Sequence, residues 1–351
     1  MNLAFALALC AATSGVQGTP VTPTDRHIRY IGRFDLQDTA GPRCAWPASA
    51  IEVAFVGSDF KAKIRETGQD SFDVVLDGVQ TQVLKLQNGE STYDLTPGAS
   101  NGAHRLRLIK RTEAFVGTTQ FEGFEVTGKL MAASKPSHIL EVIGDSISCG
   151  YGIEGKTHDE RFSVNTEDAN MTYGALAARR LNADFIDIAW SGRTMWPNDS
   201  IPEIYDLALP ADKKTPWDLS QEVPDSIVIN LATNDFGKTN PDEKGWTEAY
   251  SAFIERLRKR APHAMIYLAM GPMMSDNWPP NNRALTTLRQ YLADIVALRR
   301  RAGDSRVKVI EFETQNEQRD GIGADWHPNL VTHRNMSDRL YQAIKTDLGW
   351  H

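Results

Sequence analysis

The residues of this chain that could do chemistry are a serine, an asparagine and a histidine. Ser146 and Asn234 each follow an apolar run, and His327 lies near the C-terminus with Asp325 two residues before it. A serine hydroxyl, a side-chain amide and a histidine with a nearby carboxylate are the groups that acyl transfer through a tetrahedral intermediate requires. This set of residues predicts nucleophilic catalysis by a serine.

Ser146 is placed at a predicted turn between a buried strand and a helix. The apolar run 139–143 leads into Gly-Asp-Ser-Ile at 144–147, and a glycine-rich stretch follows at 149–152. At such a turn a hydroxyl is exposed at the carboxyl edge of the sheet, with the free N–H groups of the helix start beneath it. The alternative is that Ser146 only caps the helix. We predict that Ser146 is a nucleophile, and that N–H groups of the turn bind the oxyanion of the tetrahedral intermediate that its attack creates.

The second part of the chain alternates strand-like and helical segments. Five buried runs are found at 139–143, 184–189, 227–232, 265–270 and 307–312. Helical stripes separate or follow them, at positions 246–257, 285–295 and 336–348. This alternation predicts an α/β domain over residues 137–351, with a doubly wound parallel sheet whose carboxyl edge carries the site.

The first part of the chain has a different period. From about residue 28 to residue 126, apolar and polar residues alternate in short segments, and Asp77-Gly78 is a hairpin signal. This pattern predicts an antiparallel β-sandwich (jelly-roll-like) domain over residues 19–128. Residues 129–136, rich in small residues and lysine, are the predicted linker.

Four sequence blocks resemble those of the SGNH (GDSL-type) hydrolases, and they occur in the same order. They are Gly-Asp-Ser-Ile at 144–147, Trp-Ser-Gly-Arg at 190–193, Ala-Thr-Asn-Asp at 232–235 and Asp-Trp-His-Pro at 325–328. A sandwich followed by such a domain is similar to carbohydrate esterase family 2, which removes acetyl groups from xylan and related polysaccharides. The run Lys-Arg-Thr-Glu-Ala at 110–114 agrees with this resemblance, whereas Ala232 replaces the usual glycine of the third block.

The resemblance implies a role for each candidate residue. His327 would be the general base for Ser146, oriented either by the Asp325 carboxylate, which we expect, or by a backbone carbonyl. The N–H groups of Ser146 and Gly192 and the side-chain amide of Asn234 would form the oxyanion hole. Asn234 has the alternative of a routine turn residue.

Other residues near the blocks have less direct roles. Trp278 is the candidate sugar-binding platform, in the loop after the fourth predicted strand. Asp145 and Asp235 are expected to brace loops rather than react. His333 is expected at the solvated surface of the last helix.

Composition restricts the partners of the protein. A formal net charge of −7 argues against a general nucleic-acid binder, and no internal run approaches the ~20 apolar residues of a membrane span. No Cys/His cluster has zinc-ligand spacing, so we expect no metal and no cofactor. The pairing of Cys44 and Cys149 is not decided by the sequence, and two free thiols are the simpler interpretation.

The N-terminus resembles a secretory signal peptide. Residues 3–12 are almost entirely apolar, and small or polar residues follow through residue 18, although a basic n-region is missing. We therefore expect residues 1–18 to direct the protein to a secreted or periplasmic location, where it acts as a monomer.

The sequence as a whole predicts a serine esterase that acts on acetylated polysaccharide or oligosaccharide. A lipolytic or thioester-cleaving SGNH enzyme is one alternative. A non-catalytic carbohydrate-binding protein, or a member of the fold that has lost activity, is another.

Overall fold

The computed structural model describes residues 18–350. Residues 1–17, which make up nearly all of the predicted signal segment, lie outside the described residues. The described chain contains an antiparallel domain followed by a parallel one, as the two sequence periods predict.

The antiparallel domain begins at Thr19 and ends at Met131. Its strands are β1 (Thr19–Val21), β2 (Arg29–Ile31), β3 (Arg43–Cys44), β4 (Ala50–Glu66), β5 (Ser71–Leu76), β6 (Val79–Lys85), β7 (Gly89–Asp94), β8 (Gly102–Lys110) and β9 (Thr119–Met131). Within residues 18–350 these nine strands are hydrogen-bonded in the order β1-β9-β4-β8-β5-β6, with β2 and β7 against β4 and β3 against β9.

The long strand β4 organises this domain because it changes partners along its length. Its first half pairs with β8 and its second half with β7, while β9 pairs along both halves with register shifts near Gly57 and Lys63. Phe60, Ala62 and Ile64 point into one apolar core, as their alternation predicts. The strands on both sides of the bulges therefore share this core.

The predicted end of the first domain at residue 128 is too early. Strand β9 continues to Met131 because residues 128–131 pair with residues 54–57 of β4. The segment between the last strand of the first domain and the first strand of the second is therefore 132–137. It begins three residues later than the predicted linker 129–136. Composition alone could not show this, since small and basic residues are also accepted at the end of a strand.

The second domain contains a parallel sheet with helices on both faces. Its strands are β10 (His138–Gly144), β11 (Ala183–Ala189), β12 (Ser226–Asn230), β13 (Met265–Met270) and β14 (Val307–Glu311), in the order β11-β10-β12-β13-β14. Its helices are α1 (Ser146–Cys149), α2 (Tyr173–Arg180), α3 (Ile201–Ile204), α4 (Glu243–Arg260), α5 (Ala284–Arg301), α6 (Glu317–Asp320) and α7 (Leu330–Leu348).

Two apolar layers fix the helices to this sheet. Helices α4 and α5 pack on one face, and α2 and α7 pack on the other. The predicted doubly wound sheet is thus confirmed, and the order of its strands reverses at β10, where such sheets place their sites.

No helix within the described part of the chain combines the length and the apolarity that a bilayer crossing needs.

Polar contacts also join the two domains. The guanidinium of Arg29, in β2, donates to the Asp184 carboxylate at the start of β11 with a distance of 2.6 Å. The indole N–H of Trp46 donates to the Leu207 carbonyl at 3.1 Å. The domains are therefore connected at the amino end of β11 and in the segment after α3, as well as by the chain itself.

The turn after β12 contains a strained residue. Ala232 is buried and has φ of +132°, a backbone region that L residues rarely adopt. The glycine usual at this position of the third block would be free of this strain.

We expect Ala232→Gly to increase the free energy of unfolding by about 1 kcal/mol, because relief of ~1–3 kcal/mol of strain exceeds the entropic cost of a glycine. Urea unfolding of the two proteins measures this difference. A less stable variant would mean that the buried methyl group contributes more through packing than the strain costs.

Candidate active site

Ser146 lies at the N-terminus of α1, directly beyond the end of β10. Asp145 caps this helix, and its carboxylate accepts a hydrogen bond from the N–H of Ile147 at 3.0 Å. Gly144 is required here because the hydroxyl of Ser148 lies only 2.1 Å from the position that a Cβ would take. The predicted strand, turn and helix start are therefore present, with Ser146 as the first helical residue.

His327 makes a direct hydrogen bond with the candidate nucleophile. Its Nε2 lies 2.9 Å from the Ser146 Oγ, and its Nδ1 lies 3.0 Å from the backbone carbonyl oxygen of Asp325. A carbonyl oxygen can only accept, so the hydrogen is on Nδ1 and the Nε2 lone pair faces the serine hydroxyl. Burial lowers the pKa of His327 below its usual value, which favours this neutral form.

The predicted contact between the Asp325 carboxylate and His327 is wrong, and the carbonyl alternative is present instead. The carboxylate accepts from the Tyr151 hydroxyl at 2.9 Å and pairs with Arg161 at 2.7 Å. The physical reason is the backbone: Asp325 and Trp326 have φ of +48° and +64°. This left-handed turn directs the carbonyl to the imidazole while the side chain lies elsewhere.

Tyr151 was not among the predicted site residues. Its ring lies 4.3 Å from the His327 ring, between centroids, and its hydroxyl is held by Asp325. Asp325 thus supports the imidazole twice, through its carbonyl and through Tyr151. In the sequence, the glycines on either side of Tyr151 could have indicated that this residue lies at the site. No such sequence signal marks Arg161.

The three expected oxyanion donors lie in connected loops. Among residues 18–350, no protein group accepts a hydrogen bond from the N–H of Ser146 or of Gly192. The Asn234 amide donates to the Arg193 carbonyl at 2.9 Å, and it lies 3.5 Å from a carboxylate oxygen of Asp145. Asn234 therefore contacts the immediate neighbours of both other donors. Each hydrogen of its Nδ2 has a protein acceptor, and the long contact with Asp145 is the one that an oxyanion would replace.

Gly192 has the conformation that its position requires. Its φ is +79°, and a Cβ at this residue would meet no atom within 4 Å. The turn thus needs glycine for its backbone conformation rather than for lack of space.

Two carboxylates, the buried Asp145 and the partly buried Asp235, brace the loops, as expected. Asp235 accepts from the backbone N–H groups of Met195 and Trp196, both at 3.0 Å, and from the Trp246 indole N–H at 2.8 Å. Burial raises the pKa of Asp145 to about 7, against the lowering effect of its hydrogen bond from the N–H of Ile147. Both carboxylates accept loop N–H groups, which fits a structural role.

His333 does not lie at the surface, so that expectation is wrong. It is fully buried on α7, where its Nδ1 accepts from the backbone N–H of Tyr173 at 3.1 Å. Burial lowers its pKa to about 3, so the ring is neutral and serves to join α7 to α2. The polar residues around it in the sequence concealed its position on the inner face of the helix.

Two tryptophans are exposed in the loops of this domain. Trp278, between β13 and α5, is 67% exposed. Trp326 is 53% exposed, directly precedes His327 and stacks on His158 with 3.9 Å between ring centroids. Trp326 is therefore the tryptophan that the structure places next to the candidate base.

Both cysteines of the described chain are free and buried, which agrees with the simpler interpretation of the sequence. Within residues 18–350, no group of three or more His, Cys, Asp or Glu residues could hold a metal ion.

The carbonyl contact of His327 leads to a prediction for Asp325→Asn. This variant keeps the carbonyl, so we expect kcat to fall by no more than about tenfold, whereas loss of a triad carboxylate costs about 10⁴. His327→Ala, measured in parallel on p-nitrophenyl acetate, should be far slower. Equal losses in the two variants would contradict the carbonyl assignment.

The pH profile of kcat/KM supplies a second readout. The base must be neutral, so activity is lost as the pH falls through the His327 pKa, which lies below its usual 6.5. The Asp325 charge raises that pKa, so Asp325→Asn should move the acid limb to lower pH. A shift in the other direction would contradict this account.

Each of the two domains matches a known protein family. Residues 30–136 match the family described as carbohydrate esterase 2 N-terminal, and residues 142–334 match the GDSL-like lipase/acylhydrolase family. The cellulase/esterase CelE of Acetivibrio thermocellus is 39% identical to this chain, and the match covers 92% of this chain. It covers only 40% of the length of CelE. An acetylxylan esterase / glucomannan deacetylase of Cellvibrio japonicus is 25% identical, with 99% of this chain and 96% of the relative covered.

A solved structure shows the family. A family two carbohydrate esterase from Clostridium thermocellum, in complex with cellohexaose, superimposes with a TM-score of 0.87 at 38% identity, and the match covers 92% of this chain and 100% of that one. Because the match includes both domains, the resemblance predicted from the sequence is confirmed: the chain belongs to carbohydrate esterase family 2.

Proposed function

We propose that this protein removes O-acetyl groups from plant cell-wall polysaccharide, such as acetylated xylan or glucomannan, through an acyl-enzyme on Ser146. The observation that carries the proposal is the hydrogen bond of 2.9 Å between the Ser146 hydroxyl and a neutral His327 whose other nitrogen is held by a carbonyl. This arrangement suits a nucleophile and its general base.

The reaction begins with attack of the Ser146 Oγ on the acetyl carbonyl carbon. Nε2 of His327 takes the hydroxyl proton, and the carbonyl oxygen becomes an oxyanion near the N–H groups of Ser146 and Gly192 and the Asn234 amide. When the intermediate collapses, the bond to the sugar oxygen breaks, and His327 returns the proton to that oxygen. A water then attacks the acyl-enzyme by the same path and releases acetate.

The surroundings of His327 favour a polar substrate. Trp326 offers an exposed aromatic face, and the neighbouring His158 and the Arg161–Asp325 ion pair are polar. Sugars bind to such surfaces through ring stacking and hydrogen bonds, whereas a long acyl chain requires apolar contact. The names of the curated relatives, which include acetylxylan esterase / glucomannan deacetylase, support the same substrate class.

A location outside the cytoplasm is part of this proposal. It is supported by the apolar pattern of residues 3–12 and by the size of the proposed substrate, since a polysaccharide does not cross a cell membrane.

Ser146→Ala tests the nucleophile. We expect a folded protein whose release of acetate from acetylated xylan and glucomannan is slower by roughly 10³-fold or more in kcat. Far-UV circular dichroism and thermal unfolding serve as the folding control. A folded variant with wild-type acetate release would end the assignment.

The length of the acyl chain separates this function from a lipolytic one, which the GDSL-like lipase/acylhydrolase match also includes. An acetyl-sized pocket gains nothing from added methylenes, and overpacking it costs about 1–3 kcal/mol. Hydrolysis of p-nitrophenyl esters should therefore fall from acetate to butyrate and be negligible for octanoate. A kcat/KM that rises with chain length would favour the lipolytic function.

A further inference from the structure

A buried glutamate of the sandwich domain reaches the second block of the catalytic domain. Glu113 lies in the segment between β8 and β9 and has no exposed surface. Its Oε2 accepts from the backbone N–H of Ser191 at 2.7 Å, and its Oε1 accepts from the Ser191 hydroxyl. One carboxylate thus holds both polar groups of the residue that directly precedes Gly192.

The two hydrogen bonds from Ser191 favour the ionised form of Glu113, which is one member of a buried pair of carboxyl groups. Its backbone N–H donates to Oε2 of Glu167 at 3.2 Å, so a second buried carboxyl group lies against Glu113. Burial raises the pKa of both, and the charge of Glu113 adds to the rise at Glu167. Two adjacent buried carboxyls cannot both ionise, and the hydrogen bonds from Ser191 stabilise the charge on Glu113.

Gly192 is therefore held from both sides. Glu113 fixes the position and side-chain rotamer of Ser191, and the Asn234 amide fixes Arg193 through its carbonyl at 2.9 Å. Between these two anchors lies a glycine with φ of +79°, which has no side chain of its own to restrict its orientation. The direction of the Gly192 N–H depends on the anchors.

We propose that Glu113 is a positioning residue, contributed by the sandwich domain, which aims the Gly192 N–H at the oxyanion through Ser191. The proposal rests on the esterase function above and adds that the oxyanion hole of the catalytic domain is completed by the other domain. It also gives a role to the Lys-Arg-Thr-Glu-Ala run at 110–114. In that run the ammonium of Lys110 binds Asp70 at 2.7 Å, within the sandwich, so the segment is anchored in its own domain.

The test compares the kinetics of Glu113→Ala and Glu113→Gln on p-nitrophenyl acetate. Loss of one oxyanion donor costs about 10²–10³ in kcat, so a donor that is only misaligned should cost about 10- to 100-fold in Glu113→Ala. KM should change by less than about threefold, because the effect is confined to the transition state. Glu113→Gln keeps one acceptor oxygen for the Ser191 N–H and should recover part of the loss.

Arg29→Gln is the matched control. It breaks a different contact between the two domains, the Arg29–Asp184 ion pair, which lies at the amino end of β11 and thus at the opposite edge of the sheet from Ser146. We expect it to lower Tm while leaving kcat within about twofold of wild type. If kcat falls equally in Arg29→Gln and Glu113→Ala, Glu113 acts only by holding the two domains together, and the proposal is overturned. A Glu113→Ala kcat within twofold of wild type, or a rise in KM alone, would also overturn it.

Ser191→Ala keeps the proposal testable if Glu113→Ala does not fold. Because the hydroxyl acts through Glu113, adding Ser191→Ala to Glu113→Gln should slow the enzyme by less than the product of the two single effects. Full multiplicativity would overturn the proposal. Failure of the esterase function itself is distinguishable, since the wild-type protein would then release no acetate and Ser146→Ala would change nothing.

Discussion

The parallel register of three strands is the constraint on which the site depends. Gly144, the last residue of β10, is paired with Ala189 at the end of β11 and with Asn230 at the end of β12. Three separate chain segments therefore leave the sheet at the same level. The first block begins at Gly144, and the second and third begin within two residues of Ala189 and Asn230. The apolar layers on both faces maintain that register, because a slip by one residue would expose buried side chains and move each block by about 3.3 Å. The histidine block then needs only to reach this edge from the segment before α7.

Buried and partly buried carboxylates hold the loops at that edge in place. Asp145 caps α1, and Asp235 accepts from the N–H groups of residues 195 and 196. Glu113 accepts from the backbone N–H and the hydroxyl of Ser191. Asp145 and Glu113 are buried and Asp235 is partly buried, and burial raises the pKa of each. Charged acceptors form stronger hydrogen bonds than neutral ones, so this burial gives rigid loops in return for a desolvation cost. Rigid donors are what electrostatic stabilisation of an oxyanion requires, because donors that must reorganise during the reaction lose most of their effect.

Much of this fold and site could be predicted because its signals are local. Alternation in β4, the Asp-Gly hairpin and the apolar runs of β10 to β14 each follow from a few adjacent residues, and the structure contains all of them. Ser146 could be found because a strand, a tight turn and a helix start are encoded within ten residues. The end of β9 could not be found in this way, since residues 128–131 extend the strand only because β4 is available as a partner.

The sequence by itself determined the two domains and identified Ser146 and His327 as the candidate nucleophile and base, because residue type and local period are sufficient for each. Tertiary structure decided which group orients His327. Asp325 contacts Tyr151 and Arg161, which lie 174 and 164 residues away in the chain, so its carboxylate is unavailable to the ring and its carbonyl takes that place. Tertiary structure also decided that His333 is buried and that Glu113 reaches Ser191 across 78 residues. These outcomes depend on distant partners and on left-handed backbone angles, and neither is written in the residues around the position concerned.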